Sequence, residues 1–193
     1  SSAAYRVRIA LNLLEVPGRS WPVDLLKGEQ GGAENLARNP QGLVPTLEID
    51  GTNLTQSLAI LEYLDETRAA GWLPRDSVQR ATVRAMAHAV AVDIHPVCNL
   101  RVARHATSLG ATMEGWMQHF IALGFAGLEG VLTQHPAGRF SFGDDVTLAD
   151  ICLVPQVYNA RRWGVNLQPF PRLTAIADAL EPLPAFQAAH PDQ

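Results

Sequence analysis

Val44-Pro45-Thr46-Leu47-Glu48-Ile49-Asp50-Gly51-Thr52-Asn53-Leu54-Thr55-Gln56-Ser57 holds a strand, a tight turn, a second strand and a helix start in quick succession. Residues 44–49 alternate as a half-buried strand does. Asp50-Gly51 is the strongest short hairpin signal, and residues 52–55 return as the partner strand. Ser57 stands where a helix N-cap belongs, and Leu58, Ile60, Leu61 and Leu64 supply the apolar face of the helix behind it. On the N-terminal side, Tyr5, Ile9, Leu13 and Val16 recur at helical spacing, widened by Val7, Leu11 and Leu14, up to the breaker pair Pro17-Gly18. The run 23–26 predicts a short strand. Residues 34–38 predict one or two helical turns, stopped at Asn39-Pro40.

On the C-terminal side the character changes. Residues 68–76 (Arg-Ala-Ala-Gly-Trp-Leu-Pro-Arg-Asp) read as a linker, and the chain is helical beyond it. The pattern predicts a long amphipathic helix over 77–105 kinked at Pro96, a second over 112–135 entered after Gly110, a third over 147–158 and a fourth over 171–180. The order is α, β, α, β, β, α, then all α. This predicts an α/β domain over 1–67, a linker over 68–76 and an all-helical domain over 77–193.

Composition narrows the function. The 193 residues are 47% hydrophobic, far too apolar for a disordered chain. Fifteen basic against 19 acidic residues give a net charge of −4, which argues against a nucleic-acid partner. No apolar run is long enough to span a membrane. The first residues, Ser-Ser-Ala-Ala-Tyr-Arg, resemble neither a signal nor a transit peptide. Two cysteines, Cys98 and Cys152, make no disulfide framework and suit a reducing compartment, the cytoplasm.

Three local features carry chemistry. Ser1-Ser2 precede an amphipathic helix, whose free N–H groups and positive dipole end favour an anion. A serine hydroxyl there either caps the helix or donates to a thiolate and lowers its pKa. Val44-Pro45 is either an ordinary strand-start proline or a cis pair that turns the backbone of Val44 outward, toward a peptide ligand. Gln56-Ser57 opens the helix after the hairpin, where a backbone N–H and a hydroxyl suit a carboxylate as well as a cap.

The order of these features resembles a thioredoxin-like domain that binds glutathione, and longer motifs make the resemblance specific. Ser-Ser-x-x-Tyr-Arg-Val-Arg-Ile-Ala-Leu (1–11), Asn-Pro-x-x-x-Val-Pro-Thr-Leu (39–47) and Gln-Ser-Leu-Ala-Ile-Leu-Glu-Tyr-Leu (56–64) resemble the zeta class of glutathione transferases. So do Asp-Ile-His-Pro-x-x-Asn-Leu-Arg (93–101), Phe-Gly-Asp-x-x-Thr-Leu-Ala-Asp (142–150), Leu-Val-Pro-Gln-Val-Tyr-Asn-Ala-Arg-Arg-Trp (153–163) and Pro-Ala-Phe-Gln-Ala-Ala-His-Pro-Asp (184–192). The resemblance covers essentially the whole chain. It implies a thioredoxin-like N-terminal domain followed by a helical glutathione-transferase C-terminal domain. The chain opens at the serine position itself, so the first strand that the family carries, and the arginine often found just before the serine, are expected to be absent from it.

The resemblance also implies roles. Ser1 falls at the catalytic serine that orients the glutathione thiolate. Ser2 and Ala3 line the same turn, with Ala3 where the family often has cysteine. Val44 pairs its backbone with the cysteinyl part of glutathione, Gln56 and Ser57 hold the γ-glutamyl end, and Gln30 is the candidate for the glycine end. His95 and Asn99, together with Arg101, face the site from the kinked helix. Arg101 and Arg162 are the candidates for the substrate's carboxylates, since a guanidinium fork binds carboxylate in two places at once. Arg161 is expected to point to solvent. From spacing alone, surface solvation or a pair with Asp93 or Asp150 remains the other reading of these arginines.

The implied activity is glutathione-dependent cis–trans isomerisation of maleylacetoacetate in tyrosine and phenylalanine breakdown. The alternatives are maleylpyruvate isomerisation in the gentisate pathway, dehalogenation or conjugation of α-halo acids, and glutathione binding without catalysis. A homodimer is implied, with a small enedione dicarboxylate as the substrate. No metal is expected, because His88, His105, His119, His135 and His190 show no ligand spacing. Thr147-Leu-Ala-Asp150 reads as a structural capping box, with Val146 and Ile151 as its hydrophobic staple. Cys98, Cys152, Trp116, Phe120, Leu123 and Leu128 are read as core.

Overall fold

The computed structural model describes residues 1–135 and 138–192. The chain divides into two units, one of Ser1–Ala70 with Ala188–Gln193, the other of Gly71–Gln187.

In the first unit, Ser1 caps α1 (Ser2–Leu13), its Oγ accepting from the Ala4 N–H at 3.3 Å. The stripe of α1 buries Tyr5, Val7, Ile9 and Ala10. The strand expected over 23–26 does not form. Asp24 Oδ1 accepts instead from the N–H groups of Leu26 at 2.9 Å and Lys27 at 3.2 Å, an Asx turn that takes the donors a ladder would need. A 3-10 turn at Glu29–Gly31 leads to α2 (Ala33–Arg38). That helix stops at Asn39, whose extended φ of −140° is the conformation a residue before proline adopts.

The hairpin forms as the sequence predicts, with β1 (Thr46–Ile49) antiparallel to β2 (Thr52–Thr55) and Ile49 opposite Thr52. Asp50 and Gly51 both have positive φ, 51° and 76°, which is the mirror-image turn that an Asp-Gly pair permits. β1 begins at Thr46 rather than 44 because Pro45 has no N–H for the ladder. It is the only sheet among the described residues. α3 (Ser57–Arg68) follows, packs on α1, and buries Ile60, Leu61 and Leu64. Its far end is tied back to the turn, since Asp50 accepts from the Tyr63 hydroxyl at 2.6 Å and from Arg68 at 2.7 Å. The C-terminal residues return to this unit. Arg8 Nε donates to the Ala189 carbonyl at 3.0 Å, and the rings of Tyr5 and His190 meet edge to face at 6.0 Å.

In the second unit, Asp76 caps α4 (Ser77–His88) by accepting from Val78 and Gln79. The single kinked helix expected over 77–105 is instead broken into pieces. α4 widens into a π-helical turn at Ala89–Ile94, passes through the short α5 (His95–Val97), and restarts as α6 (Leu100–Ser108) with Asn99 as its N-cap. Pro96 supplies no N–H to the i−4 ladder, and the wider turn absorbs the loss. α7 (Met113–Gln134) receives this turn at a glycine. A Cβ on Gly124 would lie 2.2 Å from Ile94 Cγ1, so only glycine allows the approach.

The buried stripe of α7 is Met117, Ile121, Phe125, Leu128 and Leu132. Of the expected set only Leu128 belongs to it. Leu123 is 61% exposed, because the inward stripe runs in a different helical phase. α8 (Leu148–Arg162) runs one turn past the expected end and is buried along most of its length, with α4 and α9 (Pro171–Leu180) packed on it. Its capping box is present. Asp150, fully buried, accepts from the Thr147 N–H and hydroxyl, each at 2.7 Å, and from the Ser141 N–H at 2.8 Å. Burial pushes the Asp150 carboxyl up, against these donors. A last short helix, α10 (Pro184–Ala188), follows α9. No described helix is long and apolar enough to cross a membrane.

Candidate functional site

Two helix starts and a strand entrance lie in the first unit. At the start of α1, Ser1 is exposed and Ser2 and Ala3 form the first turn. The Ser1 hydroxyl oxygen accepts from the Ala4 N–H at the positive end of α1, where the helix dipole favours an anion. At the entrance to β1, the Val44–Pro45 bond is cis, one of the two states left open by the sequence. The N–H and C=O of Val44 take no partner among the described residues.

At the start of α3, Gln56 adopts a φ of 66° and offers no side-chain cap. Its amide donates to Gln41 Oε1 at 2.8 Å. Ser57 is buried, and its Oγ accepts from Arg6 Nη1 at 3.1 Å. That bond joins α1 to α3 directly. Sequence reading did not single out Arg6, although a signal existed: Arg6 shares helical spacing with Ile9, Ala10 and Leu13, so a charged residue falls on an apolar stripe. Gln30 sits in the 3-10 turn, where its carbonyl accepts from Asn35 at 2.7 Å and its side-chain oxygen is buried without a hydrogen-bond partner among the described residues.

In the second unit, His95, Asn99 and Arg101 lie on consecutive pieces of the broken helix. His95 is half-buried. Asn99 Oδ1 is committed to capping, accepting from the Arg101 N–H at 3.1 Å. The Arg101 side chain is exposed and has no carboxylate partner among the described residues. The two arginines closing α8 differ sharply. Arg161 is exposed, as expected, and bridges Asp178, at 2.8 Å, and Glu181 at the surface. Arg162 is exposed and takes no carboxylate partner among the described residues. Asp150 is engaged by Ser141 and Thr147 rather than by an arginine.

The start of α7 reaches both arginine segments. Trp116 Nε1 donates to the Val97 carbonyl at 3.0 Å, just before Asn99 and Arg101. Gln118 Nε2 donates to the Trp163 carbonyl at 2.9 Å, just after Arg162. Trp116, read from sequence as core, is half-buried and holds this bond. Cys98 is buried, and burial pushes its thiol up to about 11, so it stays a thiol at neutral pH.

These features define a class. Residues 1–67 match the family model described as glutathione S-transferase, N-terminal domain. The maleylacetoacetate isomerase of Rhizobium meliloti is 56% identical over 198 residues, covering 100% of this chain and 93% of the relative. A solved structure described as holo maleylpyruvate isomerase, a bacterial glutathione S-transferase of the zeta class, superposes with a TM-score of 0.94 at 42% identity. It is matched over 100% of this chain and 96% of that one. The maleylacetoacetate isomerase of Anaeromyxobacter dehalogenans, solved with dicarboxyethyl glutathione and citrate in its active site, gives 0.89 at 45% identity, over 100% of this chain and 91% of that one. The fold is therefore that of a glutathione transferase, a thioredoxin-like domain followed by a helical one. This chain belongs to the maleylacetoacetate isomerase family of zeta-class glutathione transferases.

Proposed function

We propose that the protein is a glutathione-dependent cis–trans isomerase that converts maleylacetoacetate to fumarylacetoacetate. The observation that carries the reading is the combination of a serine-capped helix start in the first unit with two arginines, Arg101 and Arg162, that no protein carboxylate neutralises among the described residues. The residues present fit glutathione. An exposed serine stands at a positive helix end for the thiolate, an unpartnered backbone N–H and C=O at Val44 suit the cysteinyl amide, and the start of α3 suits a carboxylate. When bound, glutathione supplies a thiolate that adds reversibly to the cis double bond, which rotates as a single bond before the thiolate leaves.

The chain's own residues do the rest. The Ser1 hydroxyl donates to the sulfur and, with the dipole of α1, favours its anionic form. Arg101 and Arg162 hold the carboxylates of the enedione and favour the negative charge that develops on its oxygens during addition. A solved relative carrying dicarboxyethyl glutathione supports a dicarboxylate as the substrate class. Maleylpyruvate is the second reading, favoured by the match to a maleylpyruvate isomerase at a TM-score of 0.94. The same family membership supports a homodimer working in tyrosine and phenylalanine breakdown. The free cysteines Cys98 and Cys152 support the cytoplasm.

Ser1→Ala tests the central role. Removing a hydrogen bond to a charged sulfur lowers kcat/KM about ten- to a hundredfold at neutral pH. The loss shrinks as pH rises, because the thiol then ionises unaided. An unchanged pH–rate profile contradicts the role.

A further inference from the structure

We propose that Arg6 is a positioning residue for the γ-glutamyl carboxylate of glutathione, acting through Ser57. The inference rests on the reading, made above, that the start of α3 meets that carboxylate. Arg6 is 1% exposed on the inner stripe of α1, and its Nη1 reaches Ser57 Oγ at 3.1 Å, 51 residues along the chain. A guanidinium has donors only, so in this bond Oγ is the acceptor. The hydroxyl proton of Ser57 is therefore not used by Arg6, and it makes no donation to another described residue.

The surroundings extend the argument. The opening N–H groups of α3 receive no side-chain cap, because Gln56 turns its amide to Gln41 instead. Gln56 itself holds a left-handed backbone at φ 66°, a conformation that a non-glycine residue keeps only where its neighbours require it. The helix start thus keeps backbone donors without a side-chain cap beside one hydroxyl donor, and a buried cation holds that hydroxyl. Fixing Oγ selects the rotamer in which the proton faces an incoming carboxylate. The charge behind it strengthens the donation in a region of low dielectric. Arg6 is also buried in the core of its unit, and the experiment separates a packing role from a positioning one.

The test uses the full-length protein and two ligands, glutathione and γ-aminobutyryl-cysteinyl-glycine, which lacks only the α-carboxylate. Calorimetric titration of wild type, Arg6→Met, Arg6→Lys and Ser57→Ala gives a ratio of the two affinities for each. In wild type, glutathione binds more tightly. Arg6→Met lowers glutathione affinity about tenfold, leaves the truncated peptide unchanged, and raises KM for glutathione while kcat at saturation holds. Arg6→Lys, which folds with the charge retained, restores part of the ratio. Adding Arg6→Met to Ser57→Ala changes the ratio no further.

A purely structural Arg6 predicts equal losses for both ligands, and that result overturns the proposal. An unchanged ratio in both Arg6 variants overturns it too. If wild type itself does not distinguish the two ligands, the reading of Ser57 beneath the proposal falls with it.

Discussion

Arg161 and Arg162 are neighbours at the end of α8 with opposite fates. Arg161 is held by Asp178 and Glu181, whereas Arg162 has no acidic partner among the described residues. Arg162→Ala therefore raises KM for the maleyl substrate about tenfold or more, the cost of losing a charged carboxylate contact. Arg161→Ala leaves KM alone and costs roughly 0.2–1 kcal/mol of stability, as exposed ion pairs do. Steady-state kinetics with chemical denaturation checks both, and equal kinetic losses in the two variants would refute the distinction. At this scale the sequence shows which residue types stand ready, Ser1 and Ser57 among them. It cannot show which guanidinium is already engaged, because the partners Asp178 and Glu181 are brought in by packing of α9 on α8. Arg6 was hidden for the same reason, its partner lying 51 residues away.

Among the elements, α8 states its own start. Thr147 and Asp150 close a capping box, and Asp150 also gathers the Ser141 N–H. Thr147→Ala costs about 0.5–2 kcal/mol in urea unfolding and leaves kcat unchanged below the transition. A fall in kcat with stability intact would show that the box does more than hold the helix. The elements that were legible carry local chemistry: the Asp50-Gly51 turn, the stop at Asn39-Pro40 and this box. Those that were not depend on neighbours. The run 23–26 has the composition of a strand but forms an Asx turn on Asp24. The π-helical turn at Ala89–Ile94 needs Gly124 on another helix to receive Ile94. The phase of α7 is set by what packs against it, which periodicity alone does not reveal.

For the molecule as a whole, the change of composition near residue 70 was legible, and the return of the chain's end to the first unit was not. Ala189 is 1% exposed, and its carbonyl holds Arg8 on the same helix that carries Ser1 and Arg6. Deleting residues 188–193 therefore lowers the unfolding free energy by about 1–2 kcal/mol, through a lost hydrogen bond and lost packing on Tyr5. It also weakens glutathione binding. Thermal unfolding with and without glutathione reads both effects, and unchanged affinity would detach the tail from the site.

The most direct test of the whole account is turnover of maleylacetoacetate and maleylpyruvate, each with and without glutathione, on one purified preparation. The account predicts loss of the cis substrate only when glutathione is present, without net consumption of glutathione, and a higher kcat/KM for maleylacetoacetate. Turnover that proceeds equally without glutathione, or glutathione binding with no turnover of either substrate, would contradict it.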